Sequence, residues 1–393
     1  MIKKINNIDE ICLRIQKSLN FKKFSLHEPI IGKHETFFVN KCLKSGFVSS
    51  AGKMIKDFEN EVKKITNSKY AISVVNGTEA IKISLLVAGV KRNQEVLVPS
   101  LTFVGSVNPI KHIGAIPHFI DSNLENFGVN FKKLEQYLKN NTFIKNQNTY
   151  NKKTGRIIKA IIPVHIFGHP CEIDKIVNLC KKYNITTIED AAEGLGSFYK
   201  NKHVGNFGLV GCISFNGNKI ITTGSGGIIL TNNKKISVKI RHLVQTAKVY
   251  HPYEYIHDEI GYNLRMSNLN ASLGLGQIKN FKNFLILKKK LYSHYLKFLN
   301  NSQHVILFKE PKYAKSNYWL QTIVLTEEFK ASKDKIIKKL QKKGIGVRPA
   351  WRLISTLKPY KNYPSMNLDG SKKIYSRVIN LPSGPNVMMK LER

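Results

Sequence analysis

The feature that most constrains the fold is an alternation of short β-branched runs with longer segments of helical periodicity. Helix-length segments such as 172–183 lie between several of the strand-like runs. Strands that alternate with helices join a parallel sheet, because each helix carries the chain back to where the next strand begins. We therefore expect an α/β fold with a mainly parallel sheet between layers of helices. The strand-like runs are 70–75, 95–98, 115–120, 159–164, 185–188, 212–215 and 227–231.

The pattern changes towards the two ends of the chain. Apolar residues recur at three- and four-residue steps near the start (Ile5, Ile8, Cys12, Ile15 and Leu19), which is typical of an amphipathic helix. Beyond about residue 280 we expect a long helix at 285–299, strands at 320–325 and 345–348, and a helix at 334–343. The predicted organisation is a helical extension (1–30), a large α/β domain (31–279) and a small C-terminal α+β domain (280–393). The polar segment 140–155 is expected to be an exposed insertion or hairpin.

Composition narrows the class of protein. The formal net charge of +37 would favour nucleic-acid binding. However, the excess is lysine rather than arginine and is spread along the chain, so we expect no dedicated nucleic-acid partner. The odd number of widely spaced cysteines shows no metal-site pattern and indicates reduced thiols. No apolar run approaches the roughly 18 residues that span a membrane, and no signal-peptide core is present. A soluble, cytoplasmic protein is expected.

Lys219 stands in a short polar loop between two apolar runs, 212–215 and 228–231. A lysine beside buried strands becomes a nucleophile when its amine is desolvated, and it can then form a Schiff base with an aldehyde cofactor. Alone the signal is weak, because the chain has 54 lysines and most lysines are solvated surface groups.

An acidic pair, Glu189 and Asp190, ends the β-branched run upstream of that loop. A carboxylate at the carboxyl end of a strand is suited to hold the ring nitrogen of pyridoxal phosphate protonated. We favour Asp190, because it ends the run where a crevice would open. The alternative is that Asp190 caps a helix that begins in the small residues after it.

The triplet Asn76-Gly77-Thr78 follows a predicted strand and precedes a segment, 79–88, with apolar residues at helical spacing. Glycine lets the backbone approach an anion closely, and a helix N-terminus offers free N–H groups. The triplet therefore favours a phosphate site, with an ordinary capped helix as the alternative.

These segments and seven others resemble the DegT/StrS-type nucleotide-sugar aminotransferases, pyridoxal phosphate enzymes of fold type I. Within that family the sequence is most similar to LegC-like, UDP-N-acetylbacillosamine-type enzymes. The matching motifs run almost end to end: FVSSAGK (47–53), VNGTEA (75–80), VPSLTF (98–103), YNKKTG (150–155), PVHIFGHP (163–170), EDAAE (189–193), SFNGNKIITTG (214–224), EIGYNLR (259–265), KSNYWL (315–320) and RPAWR (348–352).

The resemblance implies roles for named residues around a pyridoxal phosphate cofactor. Lys219 would be the cofactor-bound lysine and proton carrier, and Asp190 would pair with the ring nitrogen. Glu193 matches a position near the cofactor's 3-hydroxyl. Phe103 would stack on the ring, although a core phenylalanine is the alternative from sequence. The remaining cofactor candidates are Gly77, Thr78 and Ser214 for the phosphate, and His165 and Asn263.

Four further residues are candidates for binding substrate: Trp319, Trp351, Arg348 and Arg352. Both tryptophans could line a sugar or base site, with a core role as the alternative. The two arginines could hold a phosphate or the donor's carboxylate, or be surface charge. Ser225 stands in a Gly-rich turn where relatives often carry Glu or Gly, which raises the question of whether the backbone there needs glycine.

The function that the resemblance implies is transfer of an amino group from an amino acid, expected to be L-glutamate, to C4 of a nucleotide-linked 4-keto-6-deoxy sugar. UDP-4-keto-6-deoxy-N-acetylglucosamine is the expected acceptor, and GDP-4-keto-6-deoxymannose is the alternative. A related branch of sugar dehydratases uses histidine where this chain has Lys219. A non-catalytic cofactor-binding regulator is the alternative from another class. Homodimers with shared sites are expected, in which Asn263 reaches the partner's cofactor phosphate.

Overall fold

The computed structural model describes residues 7–392, and the predicted α/β fold is confirmed. Ile5 and the other residues before Asn7, together with Arg393, lie outside the described residues. The α-helices are α1 (Asn7–Ser18), α2 (Lys33–Lys44), α3 (Lys53–Thr66), α4 (Gly77–Val87), α5 (Asn108–His112), α6 (Phe131–Asn141), α7 (Ile173–Lys182), α8 (Lys234–Val244), α9 (Asn268–Leu299), α10 (Lys333–Lys342), α11 (Asp369–Arg377) and α12 (Pro385–Leu391).

Across the same residues, eighteen short β-segments complete the secondary structure. They are β1 (Tyr70–Val74), β2 (Glu95–Pro99), β3 (Ile116–Ile120), β4 (Thr142–Lys145), β5 (Asn148–Asn151), β6 (Ile158–Ile161), β7 (Thr186–Asp190), β8 (Phe198–Tyr199), β9 (Lys202–His203), β10 (Val210–Ser214), β11 (Gly227–Thr231), β12 (Lys248–Val249), β13 (Ile256–His257), β14 (Val305–Leu307), β15 (Ala314–Lys315), β16 (Gln321–Leu325), β17 (Arg348–Pro349) and β18 (Val378–Leu381).

The main sheet has the order β1-β11-β10-β7-β6-β2-β3. Strands β10, β7, β6, β2 and β3 are parallel, whereas β11 runs antiparallel to both β1 and β10. The central strands are buried on both faces, which explains why they appear in the sequence as continuous apolar runs. A smaller antiparallel sheet, β14-β16-β18-β17, lies in the C-terminal part.

Strand pairing at one edge of the main sheet brings distant parts of the chain together. The parallel register sets Cys212 of β10 opposite Asp190, the last residue of β7. The antiparallel register sets Ser214, which ends β10, opposite Gly227, which starts β11. Gly227 also pairs with Val74 at the end of β1. The ends of four strands therefore meet at this carboxyl edge, where open α/β sheets bind ligands.

The hairpin predicted from the polar segment 140–155 is formed by β4 and β5. It is tied to the opposite edge of the sheet, because Asn151 and Thr154 donate hydrogen bonds to Glu95, the first residue of β2. Burial opposes ionisation of Glu95, but bonds from His118, Asn151 and Thr154 outweigh it and lower its pKa. The YNKKTG motif (150–155) thus supports the sheet on the side away from the carboxyl edge.

Two predicted elements differ from those observed. Helix α9 begins at Asn268, well before residue 285, because Gly274 and Gly276 allow close packing although they make the segment look non-helical. A Cβ on Gly274 would lie 2.5 Å from Phe58, and one on Gly276 would lie 2.5 Å from the backbone of Glu35. The strand predicted at 345–348 is wrong: only Arg348–Pro349 belongs to the sheet, whereas Ile345 bridges to Phe24.

The predicted domain boundaries stay predictions, and the boundary at residue 280 falls inside α9. Helix α1 buries Ile11, Cys12 and Ile15 in a cluster with residues of α9, α10 and the small sheet. The five cysteines of the chain form no disulfide and are all buried. Within residues 7–392, no helix is both long and apolar enough to cross a bilayer.

Lys288, in the middle of α9, is completely buried and connects three segments. Its Nζ donates to the carbonyl oxygens of Ser383 at 2.6 Å, Trp319 at 3.0 Å and Tyr318 at 3.3 Å. Tyr318 has a left-handed backbone, with φ of 48°. Burial lowers the pKa of Lys288 well below its usual range. The lysine therefore fixes an unusual turn against the helix.

Replacing Lys288 with methionine should lower the free energy of unfolding by about 3 kcal/mol, because buried carbonyls lose their donor. Lys289, the exposed neighbour on the same helix, provides the control: Lys289→Met should change stability by less than about 0.5 kcal/mol. Urea unfolding of both variants measures the difference. Equal stability of the two variants would show that Lys288 is not a structural support.

Candidate active site

A cavity of about 330 Å³ opens at the carboxyl edge of the main sheet. Its wall combines strand ends, the start of α4 and loops from the C-terminal part. A cavity of this size, with a few converging polar groups, is suited to a cofactor. The lining residues are Asn76, Gly77, Thr78, Ile81, Thr102, Phe103, Gly105, Ser106, Val164, Asp190, Ala192, Glu193, Ser214, Asn216, Asn218, Lys219, Ser225, Gly226, Trp319 and Trp351.

Lys219 lies in the loop between β10 and β11, and its side chain is 13% exposed. Its Nζ is 3.3 Å from Oε1 of Glu193 and 4.1 Å from the centre of the Trp319 ring. The indole N–H of Trp319 donates to the carbonyl of Asn218, beside the lysine, at 2.6 Å. The amine is thus held between a carboxyl group and an aromatic face.

Asp190 ends β7 and is 3% exposed. Its Oδ1 accepts the backbone N–H of Ala192 at 3.0 Å, and its Oδ2 accepts the hydroxyl of Ser106 at 2.6 Å. No helix starts in the turns after Asp190, so the helix-cap alternative is wrong. The carboxylate belongs to the cavity wall, as the strand-end position predicts.

Glu193 lies between Lys219 and the backbone of Phe167. Its Oε2 accepts the N–H of Phe167 at 2.8 Å, and Phe167 has a left-handed backbone with φ of 57°. Burial raises the pKa of Glu193 to about 7, although the Lys219 charge and the Phe167 N–H favour the ionised form. Glu193 can therefore hold or release a proton near neutral pH.

The start of α4 forms a small cradle. Gly77 is the first residue of the helix, and the Asn76 side chain caps it by accepting the N–H of Glu79 at 2.8 Å. A Cβ on Gly77 would approach the Cβ of Ser214 to 3.0 Å. The capped helix and the anion site are therefore compatible: free N–H groups, the Thr78 side chain and Ser214 surround one space that suits a phosphate.

An aromatic group covers another side of the cavity. Phe103 is 54% exposed, so the core alternative for this residue is wrong. Its ring lies 6.5 Å from that of Trp351, which packs 4.9 Å from Phe167. Trp319 is only 4% exposed and stacks 6.4 Å from Trp351. Trp319 is thus both a core residue and part of the cavity wall.

Four predicted site residues do not line this cavity. His165 is fully buried, and its Nε2 lies 3.1 Å from Oε2 of Glu189. Burial opposes protonation of His165, but contacts with Cys171 and the Glu189 carboxylate outweigh it and raise its pKa to about 10. Arg348 and Arg352 are exposed, and Arg348 borders a different groove, next to Ser25.

Asn263 is the fourth residue outside the cavity, and it is exposed. It bridges to Gln245 through its backbone. Ser225 lines the cavity without a left-handed backbone, whereas the preceding Gly224 has φ of 80°. The Ser225 hydroxyl donates to the carbonyl of Val75 at 2.8 Å. Serine is therefore accommodated in this turn.

Sequence reasoning missed Thr102, Ser106 and Asn317. Asn317 holds the backbone of the segment that carries Glu193, because its side-chain amide donates to the carbonyls of Glu193 at 2.7 Å and Leu195 at 2.9 Å. Gly168 must be glycine here, since a Cβ would lie 1.9 Å from Oδ1 of Asn317. Both Thr102 and Ser106 follow the end of β2, and Thr102 also belongs to the VPSLTF motif (98–103).

The fold and the cavity are those of a pyridoxal phosphate-dependent enzyme of the aminotransferase type. The sequence profile of the DegT/DnrJ/EryC1/StrS aminotransferase family matches residues 29–391, and the chain belongs to this family. Members are pyridoxal phosphate-dependent sugar aminotransferases, which confirms the cofactor and enzyme class expected from sequence.

Individual relatives agree with this assignment. The chain is 36% identical to GDP-perosamine synthase of Escherichia coli O157:H7 over 93% of its length and 94% of the relative. It is 31% identical to UDP-4-amino-4,6-dideoxy-N-acetyl-beta-L-altrosamine transaminase of Campylobacter jejuni, over 90% of each chain. The solved structure of Helicobacter pylori PseC, an aminotransferase involved in the biosynthesis of pseudoaminic acid, has the same fold. Its TM-score is 0.83 at 24% identity, covering 94% of this chain and 98% of that one.

Replacing Glu193 with glutamine should change how the stability of the cofactor-free protein depends on pH. The pKa of Glu193 is about 7 in the fold, against 4.5 as its ordinary value. Its contribution to stability is present below pH 4.5 and is lost as the pH rises through 7. Glu193→Gln should remove this loss. The free energy of unfolding of the variant, relative to that of the parent, should therefore rise by about 2 kcal/mol from pH 5 to pH 8. Thermal unfolding of both proteins at the two pH values measures this change. A stability difference that does not vary with pH would contradict the raised pKa of Glu193.

Proposed function

We propose that this enzyme transfers the amino group of L-glutamate to C4 of UDP-4-keto-6-deoxy-N-acetylglucosamine. The observation that carries the proposed chemistry is the placement of Lys219, Glu193 and Asp190 on one cavity beside the α4 cradle. An amine, a proton-holding carboxyl group and an ionised carboxylate are the groups that amino transfer with pyridoxal phosphate requires.

The cavity fits pyridoxal phosphate. The α4 cradle, with Gly77, Thr78 and Ser214, would hold the phosphate, because a side chain at position 77 would crowd that space. Asp190 would pair with the ring nitrogen, and Phe103 would cover one face of the ring. When bound, the cofactor supplies an electron sink for the carbon that carries the amino group.

The chain's own residues supply proton transfer and orientation. Lys219 would take and return the proton at the reacting carbon, since its amine faces the cavity. Glu193, with its raised pKa, would share a proton with the neighbouring oxygen of the cofactor. Trp319 and Trp351 would exclude water from this side of the cavity, which strengthens the electrostatic contacts inside.

The acceptor is argued from the sequence resemblance to LegC-like enzymes. The YNKKTG motif (150–155), one part of that resemblance, lies at the edge of the sheet away from the cavity. Apart from the motifs that supply the cofactor candidates, KSNYWL and RPAWR also reach the cavity, through Trp319 and Trp351. GDP-4-keto-6-deoxymannose is the second candidate, and the similarity to GDP-perosamine synthase favours it.

The two acceptors can be compared directly. With L-glutamate as donor, we expect kcat/KM for UDP-4-keto-6-deoxy-N-acetylglucosamine to exceed that for GDP-4-keto-6-deoxymannose by at least about a hundredfold, since a site built to hydrogen-bond one sugar strongly rejects another that lacks the group. Product formation is measured by chromatography under identical conditions. A clear preference for the GDP sugar would move the assignment to the second candidate.

Replacing Lys219 with alanine should abolish turnover, because the amine carries the proton at the reacting carbon. We expect a loss of at least about 10³-fold in kcat, with an apoprotein that still folds. Lys289→Ala, on the exposed face of α9, should retain full activity. Near-normal turnover by Lys219→Ala would refute the proposed role, whereas a cofactor-bound parent protein inactive with every donor and acceptor would favour the regulator alternative.

A homodimer with shared sites is part of the proposal. Asn263 is exposed and lies outside the cavity of its own chain. The nearby segment 248–260 exposes Tyr250, Tyr253 and Ile260, each by more than 80%. Clustered apolar side chains of this size are typical of an interface. In a two-fold dimer, Asn263 of one protomer would complete the partner's phosphate site.

Complementation between inactive variants tests this arrangement. Lys219→Ala and Asn263→Ala should each be inactive as homodimers. After subunit exchange, each hybrid dimer should contain one intact site, so an equal mixture should regain about a quarter of the parent activity. If Asn263 acts within its own chain, no activity returns. An active monomer by sedimentation would contradict the shared site.

A further inference from the structure

Two hydroxyl groups stand behind Asp190 at the cavity wall. The Oγ of Ser106 lies 2.6 Å from Oδ2 of Asp190, and the Oγ1 of Thr102 lies 2.7 Å from the Oγ of Ser106. Both hydroxyl residues are buried, at 3% and 1% exposure. They come from the segment that follows β2, whereas Asp190 ends β7, so the contact joins two strand ends.

The chemistry of these groups fixes the direction of each hydrogen bond. An ionised carboxylate can only accept, so Ser106 must donate its proton to Asp190. The oxygen of Ser106 is then the acceptor in its contact with Thr102, and Thr102 must donate. The result is a relay of two O–H donors, Thr102 to Ser106 to Asp190. Hydrogen bonds in such a chain polarise and strengthen one another.

The other carboxylate oxygen is fixed by the backbone. Oδ1 of Asp190 accepts the N–H of Ala192 at 3.0 Å. The main chain of Asp190 is also held on both sides: its N–H donates to the carbonyl of Pro163, and its carbonyl accepts the N–H of His165. The one part of Asp190 whose orientation depends on side chains is therefore Oδ2.

We propose that Ser106 and Thr102 are positioning residues, which hold the Asp190 carboxylate directed into the cavity and thereby set the affinity for the cofactor. The inference rests on the proposed role of Asp190 towards the ring nitrogen. Ser106 acts directly on Asp190, and Thr102 acts through Ser106. The relay therefore makes a specific prediction: removal of the Thr102 hydroxyl should weaken cofactor binding only in a protein that retains Ser106.

The test measures the dissociation constant of pyridoxal phosphate from the apoprotein by equilibrium dialysis. Ser106→Ala should weaken binding about tenfold, as expected for loss of a hydrogen bond to a charged group. Thr102→Val, which keeps the shape and removes the hydroxyl, should weaken binding by a smaller factor, and Thr102→Ser should restore it. The double variant should bind no more weakly than Ser106→Ala alone, because Thr102 acts through Ser106.

A matched control is available at the opposite edge of the sheet. The hydroxyls of Ser68 and Thr66 form a buried pair at 2.9 Å, remote from the cavity. Ser68→Ala should leave the dissociation constant unchanged, although it removes a buried hydroxyl–hydroxyl hydrogen bond like the one that Thr102→Val removes. If Ser106→Ala does not fold, the comparison of Thr102→Val with Thr102→Ser decides the question.

Asp190→Asn separates this inference from the proposed function. If Asp190→Asn leaves cofactor affinity unchanged, the assigned role of Asp190 fails and the relay fails with it. If Asp190→Asn weakens binding while the Ser106 and Thr102 variants bind like the parent, the relay alone is overturned. Additive effects of Ser106→Ala and Thr102→Val would also overturn it.

Discussion

The site depends above all on the parallel pairing of β7 with β10. This pairing sets Asp190 beside the end of β10, and the loop that follows β10 then carries Lys219 over the same edge. The antiparallel strand β11 starts at that edge, where Gly227 lies opposite Ser214, and it pairs with β1, whose last residues lead into the start of α4. These three strand pairings together align the carboxylate, the lysine loop and the anion cradle. A slip by one residue would turn each side chain to the other face of its strand.

Supports from the C-terminal part of the chain complete this edge. Asn317 holds the backbone of Glu193, Trp319 covers Lys219, and Lys288 fixes the turn at Tyr318 from within α9. The contact of Asn317 with Glu193 spans 124 positions of the chain, and that of Lys288 with Tyr318 spans 30. Two residues with left-handed backbone lie at this place: Tyr318, whose carbonyl accepts from Lys288, and Phe167, whose N–H donates to Glu193. Unusual backbone conformations persist where surrounding contacts hold them, and such places are commonly functional.

Much of this arrangement could be predicted from the sequence. The β-branched runs gave seven strands close to those observed, because strands buried on both faces must be continuously apolar. Asp190, Gly77 and Lys219 were predicted from their positions at strand ends, and the structure places all three on one cavity. The start of α9 was not predicted, because Gly274 and Gly276 make this segment look non-helical. These glycines allow close packing against α3 and α2, and local periodicity does not show such a contact. For the same reason the hydroxyls of Thr102 and Ser106 were missed: their partner Asp190 lies more than eighty positions away.

The central claim is that Lys219, alone among the 54 lysines, carries the cofactor. Borohydride reduction of the protein loaded with pyridoxal phosphate, followed by peptide mass spectrometry, tests it most directly. We predict one phosphopyridoxyl group per chain, on the peptide that contains Lys219, and loss of the bound cofactor's visible absorbance. Modification of a different lysine, or of many exposed lysines with Lys219 left unmodified, would contradict the assignment.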